Sequence, residues 1–115
     1  MRDDRQRLAD ILEAIENIER YTGGGRSAFD HNELVQTWVL FQLMVIGEAV
    51  RALSDAFRSG HPEVAWPQIV ALRNNVVHHY FGIDEDIVWE IVTDDIPDLK
   101  RIIAVILDMI GDSAG

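Results

Sequence analysis

The stretch Trp38-Val39-Leu40-Phe41-Gln42-Leu43-Met44-Val45-Ile46 holds eight apolar side chains and a single amide. Read as a helix, it is apolar on nearly every side, and such a helix must bury more than one face. In so small a protein, that points both to an intramolecular core and to a subunit interface. The alternative is the central helix of a monomeric bundle. A bilayer-spanning helix needs roughly 20 apolar residues, and Gln42 interrupts this run after four. No membrane segment is therefore expected.

Outward from this stretch the periodicity stays helical. Upstream, Leu8, Ile11, Leu12, Ile15 and Ile18 form an apolar stripe at three- and four-residue spacing, which predicts a first helix from about residue 4 to 22. Gly23-Gly24-Gly25 then stops it. Asp30 followed by Glu33 resembles a capping box, so the second helix is expected to run from there to about Arg58 and to end at Gly60. Downstream, Pro67 suits the first position of a third helix reaching His79, with Ile69, Leu72 and Val76 facing the core. Phe81-Gly82-Ile83 reads as its exit. Asp84 can cap a fourth helix through Val92, and Thr93 a fifth, with Asp94 and Asp95 favourably placed in its first turn. Leu99, Ile102, Ile103, Ile106 and Ile110 line the fifth, and Gly111 is expected to end it. No segment alternates with period two. The expected fold is all-α, a single domain over 1–115 forming an antiparallel bundle of about five helices.

Composition narrows the chemistry. The chain has 115 residues, no cysteine and a formal net charge of −10. Disulfides, thiolate metal sites and cysteine nucleophiles are excluded. The start, Met1-Arg2-Asp3-Asp4-Arg5, is charged and leads into an amphipathic pattern rather than a signal-peptide core, which together with the missing cysteine points to a reducing cytosol. The acidity opposes nucleic acid at long range, since phosphate contacts need local positive charge. RNA contact would have to come from a few well-placed cations, or from a site built by more than one chain. An acidic surface also suits a basic protein partner.

Reactive polar groups concentrate in one segment, Arg73-Asn74-Asn75-Val76-Val77-His78-His79-Tyr80. On an ideal helix each residue turns about 100°, so Asn74 and His78 share a face while Arg73 aligns with Tyr80. One copy spreads these groups over a broad arc; two copies at a twofold axis would gather them over one cleft. Histidine can exchange a proton with a ribose hydroxyl near neutral pH. Arginine offers a planar fork of donors to a phosphate whose charge grows in the transition state. Asparagine can orient the histidine or hold a phosphate oxygen. No metal is required, and the adjacent His78 and His79 point too far apart to make a metal pair. From spacing alone, chance co-occurrence on a helix explains the segment as well. Glu48, within Gly47-Glu48-Ala49, either pairs with Arg51 three residues on, lies on a solvated edge, or supports a cleft. Trp38, Trp66 and Trp89 read as core or interface anchors, and His31 and His61 as solvated loop or cap residues.

The segment Leu72–Tyr80 resembles the R-x4-H-x-Y signature of the HepT-like branch of the HEPN superfamily. Ile46-Gly47-Glu48-Ala49, Ala65-Trp66-Pro67-Gln68-Ile69, Tyr80-Phe81-Gly82-Ile83-Asp84 and Val88-Trp89 resemble further family segments in family order. The resemblance implies a helical homodimer with a composite, metal-independent ribonuclease site in the dimer cleft. It makes Arg73 and His78 the catalytic pair and Asn74 the polar residue that follows the arginine. It implies attack by the 2′-hydroxyl on the adjacent phosphate. It further implies a nucleotidyltransferase antitoxin as partner, transferring AMP to Tyr80 and thereby blocking RNA entry.

Two other functions fit the same residues. A non-catalytic module would dock a nucleotidyltransferase or bind a nucleotide through the cleft, with Arg73 holding a phosphate. A structural adaptor would use the motif only for packing.

Overall fold

A computed structural model describes residues 3–71 and 84–114, with side chains through residue 110. The first helix, α1, spans Asp4–Thr22 as its apolar stripe predicts. Asp3 opens it with a capping box: its carboxylate accepts from the Gln6 N–H at 2.9 Å, and the Gln6 side chain accepts from the Asp3 N–H at 2.9 Å. After the triple glycine a short helix, α2, covers Arg26–Asp30, a segment in which the periodicity predicts no helix. Its purpose is visible in Phe29, which is buried against Trp89 at a ring separation of 5.2 Å. Gly25 enters α2 at φ +90, a backbone region open to glycine alone.

The central helix, α3, spans Glu33–Ala52. Its N-cap is Asn32, accepting from the Val35 N–H at 3.1 Å, and not Asp30. Burying Phe29 draws Asp30 into the end of α2, and the amide of Asn32 caps equally well. By length and composition α3 could cross a membrane, but half of its most apolar window is buried within the bundle. Even its amides are used: Gln36 donates to the carbonyls of Phe29 at 2.9 Å and Asp30 at 3.1 Å.

The second helix was expected to continue to Arg58. Instead Leu53 turns extended and goes into the core, and Ser54 caps a new short helix, α4, over Asp55–Ser59. The break is paid for by hydrogen bonds: the Ser54 hydroxyl accepts from the Phe57 N–H at 3.1 Å, and Asp4 accepts from both the Ser54 N–H and its hydroxyl, at 2.9 and 2.7 Å. Residues 66–71 form α5, with Pro67 in its first turn.

Asp84 caps α6, Glu85–Glu90, as expected. Thr93 does not cap a separate helix. Its hydroxyl donates back to the Trp89 carbonyl at 3.0 Å, and the chain runs through a π-helical turn, Ile91–Asp95, into α7, Ile96–Ala114. The widened turn closes with the Ile96 N–H on the Ile91 carbonyl, just ahead of Pro97, which has no N–H to give to an ordinary turn. Asp94 and Asp95 therefore meet no free helix N-terminus. Asp95 instead has its carboxyl pushed above the usual range by partial desolvation and by the charges of Asp94 and Asp98. The last helix also continues through Gly111.

No strand occurs among the described residues, and the fold is all-α. α1 packs chiefly along α3 and secondarily on α7. Leu8, Ile11, Ile15 and Ile18 from α1 join Val39, Leu43, Ile46 and Val50 from α3 and Ile103 and Ile106 from α7 in one core.

Candidate active site

Arg73, Asn74, His78 and Tyr80 lie outside the described residues; Glu48 lies within them. What the structure shows is how the two ends of the segment 72–83 are held. On the entry side, α5 is anchored by Trp66, buried, whose indole N–H donates to the carbonyls of Arg58 at 3.2 Å and His61 at 3.0 Å. Ile69 and Val70 follow it onto the core. On the exit side, the Asp84 carboxylate accepts from the N–H groups of Asp86 and Ile87 at 3.0 and 3.2 Å. Arg26 of α2 pairs with Asp86, and the hydrogen bond raises its guanidinium above the ordinary range. Gln36 also reaches Glu85 at 3.5 Å. The anchors thus draw on side chains of α2 and α3 and on a backbone carbonyl of α4, beyond the flanking helices alone.

Glu48 stands exposed on α3, on the wall of a groove of about 610 Å³ between α1 and α3. Arg7, Asp10, Glu13, Asn17 and Phe41 share that groove. Among the described residues, three carboxylates and one guanidinium line it over an apolar floor. The Asn17 amide donates to Gln42 at 3.4 Å, and the Trp38 indole donates to the Asn17 carbonyl at 3.1 Å, which locks the two walls together. A carboxylate so placed can orient a donor but cannot attract a phosphate by itself.

Sequence reasoning singled out Glu48 but not Arg7 or Asn17. Neither carries a motif, and only the crossing of α1 over α3 brings them to Glu48. Among the histidines outside the motif, exposed His31 lies at 2.8 Å from the Ser27 carbonyl, and His61 at 3.0 Å from Glu63. Both are loop contacts. Trp66 is a core anchor, whereas Trp38 is half-buried, with Tyr21 edge-on at 5.8 Å and Phe41 stacked at 6.4 Å.

The family model described as ribonuclease HepT-like matches residues 11–106. The chain belongs to the ribonuclease HepT-like family. With three relatives the match spans nine-tenths or more of their length. A protein of Methanocaldococcus jannaschii with a provisional RNase name is 36% identical over 106 residues, 91% of this chain and 97% of its own. A second from the same organism is 38% identical over 115 residues, 96% of this chain and 93% of its own. The "Probable ribonuclease HepT" of Thermococcus cleftensis is 36% identical over 102 residues, covering 86% and 91%. No solved structure matches the chain. The HepT-like span contains Glu48 and the whole R-x4-H-x-Y run of 73–80, together with α3 and the helices on either side of the motif.

Proposed function

We propose that the chain is a metal-independent endoribonuclease, the toxin of a toxin–antitoxin pair, acting at a composite site shared by two copies in the cytosol. The observation that carries this reading is the Arg73–Tyr80 run inside a span matched by a ribonuclease family. In the proposed reaction His78 takes the proton from a ribose 2′-hydroxyl. The 2′-oxygen bonds to the adjacent phosphorus, and the phosphorus–5′-oxygen bond breaks. A proton is returned to the leaving oxygen, giving a cyclic phosphate and a 5′-hydroxyl. Arg73 stabilises the charge that grows on the phosphoryl oxygens, and Asn74 and Glu48 support the pair. Tyr80 is the acceptor for AMP from a nucleotidyltransferase antitoxin, which sets a bulky anion beside Arg73 and His78.

The net charge of −10 and the carboxylates of the groove favour a second reading. In it the same cleft docks a basic partner and cuts nothing.

His78→Ala compared with wild type on purified cellular RNA, without metal and after intact mass shows Tyr80 unmodified, separates the two. The ribonuclease predicts cleavage with cyclic phosphate ends by wild type and a loss of at least about 100-fold in the variant. If unmodified wild type leaves all RNA intact across a wide concentration range, the enzyme reading falls and the docking reading stands.

A further inference from the structure

The short helix α2 works through a single face. Arg26, Phe29 and Asp30 stand three and four residues apart, which sets them side by side. Opposite them, Glu85, Asp86 and Trp89 share a face of α6 by the same spacing. The two faces meet at three levels. Phe29 is buried against the Trp89 ring. Arg26 pairs with Asp86. Gln36, rooted in α3, spans the junction by donating to the carbonyls of Phe29 and Asp30 and reaching Glu85. This bracket matters because α6 has little else to fix it. Of its six residues only Val88 is buried. Its far end joins α7 through the π-helical turn Ile91–Asp95, and such turns recur in helices where function needs a joint. Its near end, the Asp84 cap, follows Tyr80 by four residues and His78 by six. A chain spans at most about 3.6 Å per residue, so a shift of α6 reaches those residues through tethers no longer than roughly 14 and 22 Å.

We propose that Arg26 is a positioning residue of the ribonuclease site: its guanidinium fixes α6 against α2 and so fixes where segment 72–83 ends and His78 is presented to substrate. Arg26 itself touches neither RNA nor the reacting atoms. The side chain suits the task. Its Nε donates to Asp30 of α2 at 3.2 Å, and its Nη2 donates to Asp86 of α6. One rigid, planar fork thus ties the two helices at a set angle. A lysine ammonium is a single point of charge on a flexible stem and holds no such angle. The pair is exposed, and exposed ion pairs add little to stability. What Arg26 supplies is direction, and misplacement of a reacting group by about 1 Å can cost up to 100-fold in rate.

This role rests on the ribonuclease reading, and two measurements keep their failures apart. The first is steady-state cleavage, without metal, of an RNA oligonucleotide carrying a site that wild type cuts in cellular RNA. Arg26→Ala should lower kcat about tenfold and leave KM unchanged. Asp86→Asn should act in the same direction, and the double variant should be no slower than Arg26→Ala, since both break one contact. Arg26→Lys, which keeps the charge without the fork, should recover only part of the rate. Lys100→Ala removes a comparable exposed pair, Lys100 to Glu19 at 2.8 Å between α7 and α1, and should keep the wild-type kcat. The second measurement is amide hydrogen exchange, which needs no activity. Exchange over residues 84–90 should quicken in Arg26→Ala and not in Lys100→Ala. Wild-type kcat in Arg26→Ala overturns the positioning role and leaves the ribonuclease standing. So does a loss confined to KM, or an equal loss in Lys100→Ala. Full recovery in Arg26→Lys overturns the part given to the fork. Unchanged exchange over 84–90 shows that Arg26 does not hold α6. A wild type that cuts no RNA overturns the ribonuclease reading, and the positioning role with it.

Discussion

Asp95 shows what one residue's surroundings can reverse. In the sequence it belongs to the first turn of a helix, where a carboxylate is favoured. In the structure the helix runs on through a π-helical turn, and desolvation with Asp94 and Asp98 disfavours the charge. The folded chain then holds this proton to higher pH than the unfolded chain does. Stability falls as pH rises from the ordinary value of 3.8 through the raised folded one, and the full penalty applies above it. Asp95→Asn should raise the melting temperature at pH 7 by about 1–3 °C; scans at descending pH should show the gain vanish below about pH 4. Gln36 is the complementary case, a buried amide on which two carbonyls depend. Gln36→Leu keeps the volume and removes the donor, and urea unfolding should show a loss of about 1–3 kcal/mol.

At the scale of elements, the surprises lie at the joints. The apolar stripe of α1 is legible because its period is local, and the structure reproduces its bounds. The division of α3 from α4 is not, since Leu53 and Ser54 are each compatible with a continuing helix. The bend is decided by Asp4, fifty residues away, whose carboxylate holds both donors of Ser54. Ser54→Ala removes the cap and half of that clasp and should cost about 1 kcal/mol in thermal or denaturant unfolding. The motif segment has the same character. Its residue types and spacing are plain in the sequence, whereas the tethers on its flanks, Arg26 to Asp86 and Trp66 to the α4 turn, come from elements that no local pattern connects to it.

Across the whole molecule, charge and hydrophobicity pull in different directions. A chain of net charge −10 has few cations to release counterions from a polyanion. If the chain cuts RNA, the slope of log KM against log salt should be shallow, about 1–2 in magnitude, rather than the steep dependence of a basic binder. A steep slope would show that cations are gathered at the cleft by assembly. Burial, by contrast, is shared out tightly: one side of α3 closes the core while the other stays apolar and exposed.

The sequence by itself determined the helical class, the extent of the first helix to about a residue, the capping of α6 by Asp84 and the motif that points to ribonuclease chemistry. Each is written in spacings of three to eight residues, the range over which a helix repeats itself. Only the tertiary structure decided where α3 ends, that α6 and α7 are continuous, and which of the described residues of α3 stay exposed. A helix apolar all round does not declare which face its own chain will bury. That choice is made chiefly by α1, whose stripe packs along α3, and among the described residues Leu34 and Phe41 stay exposed.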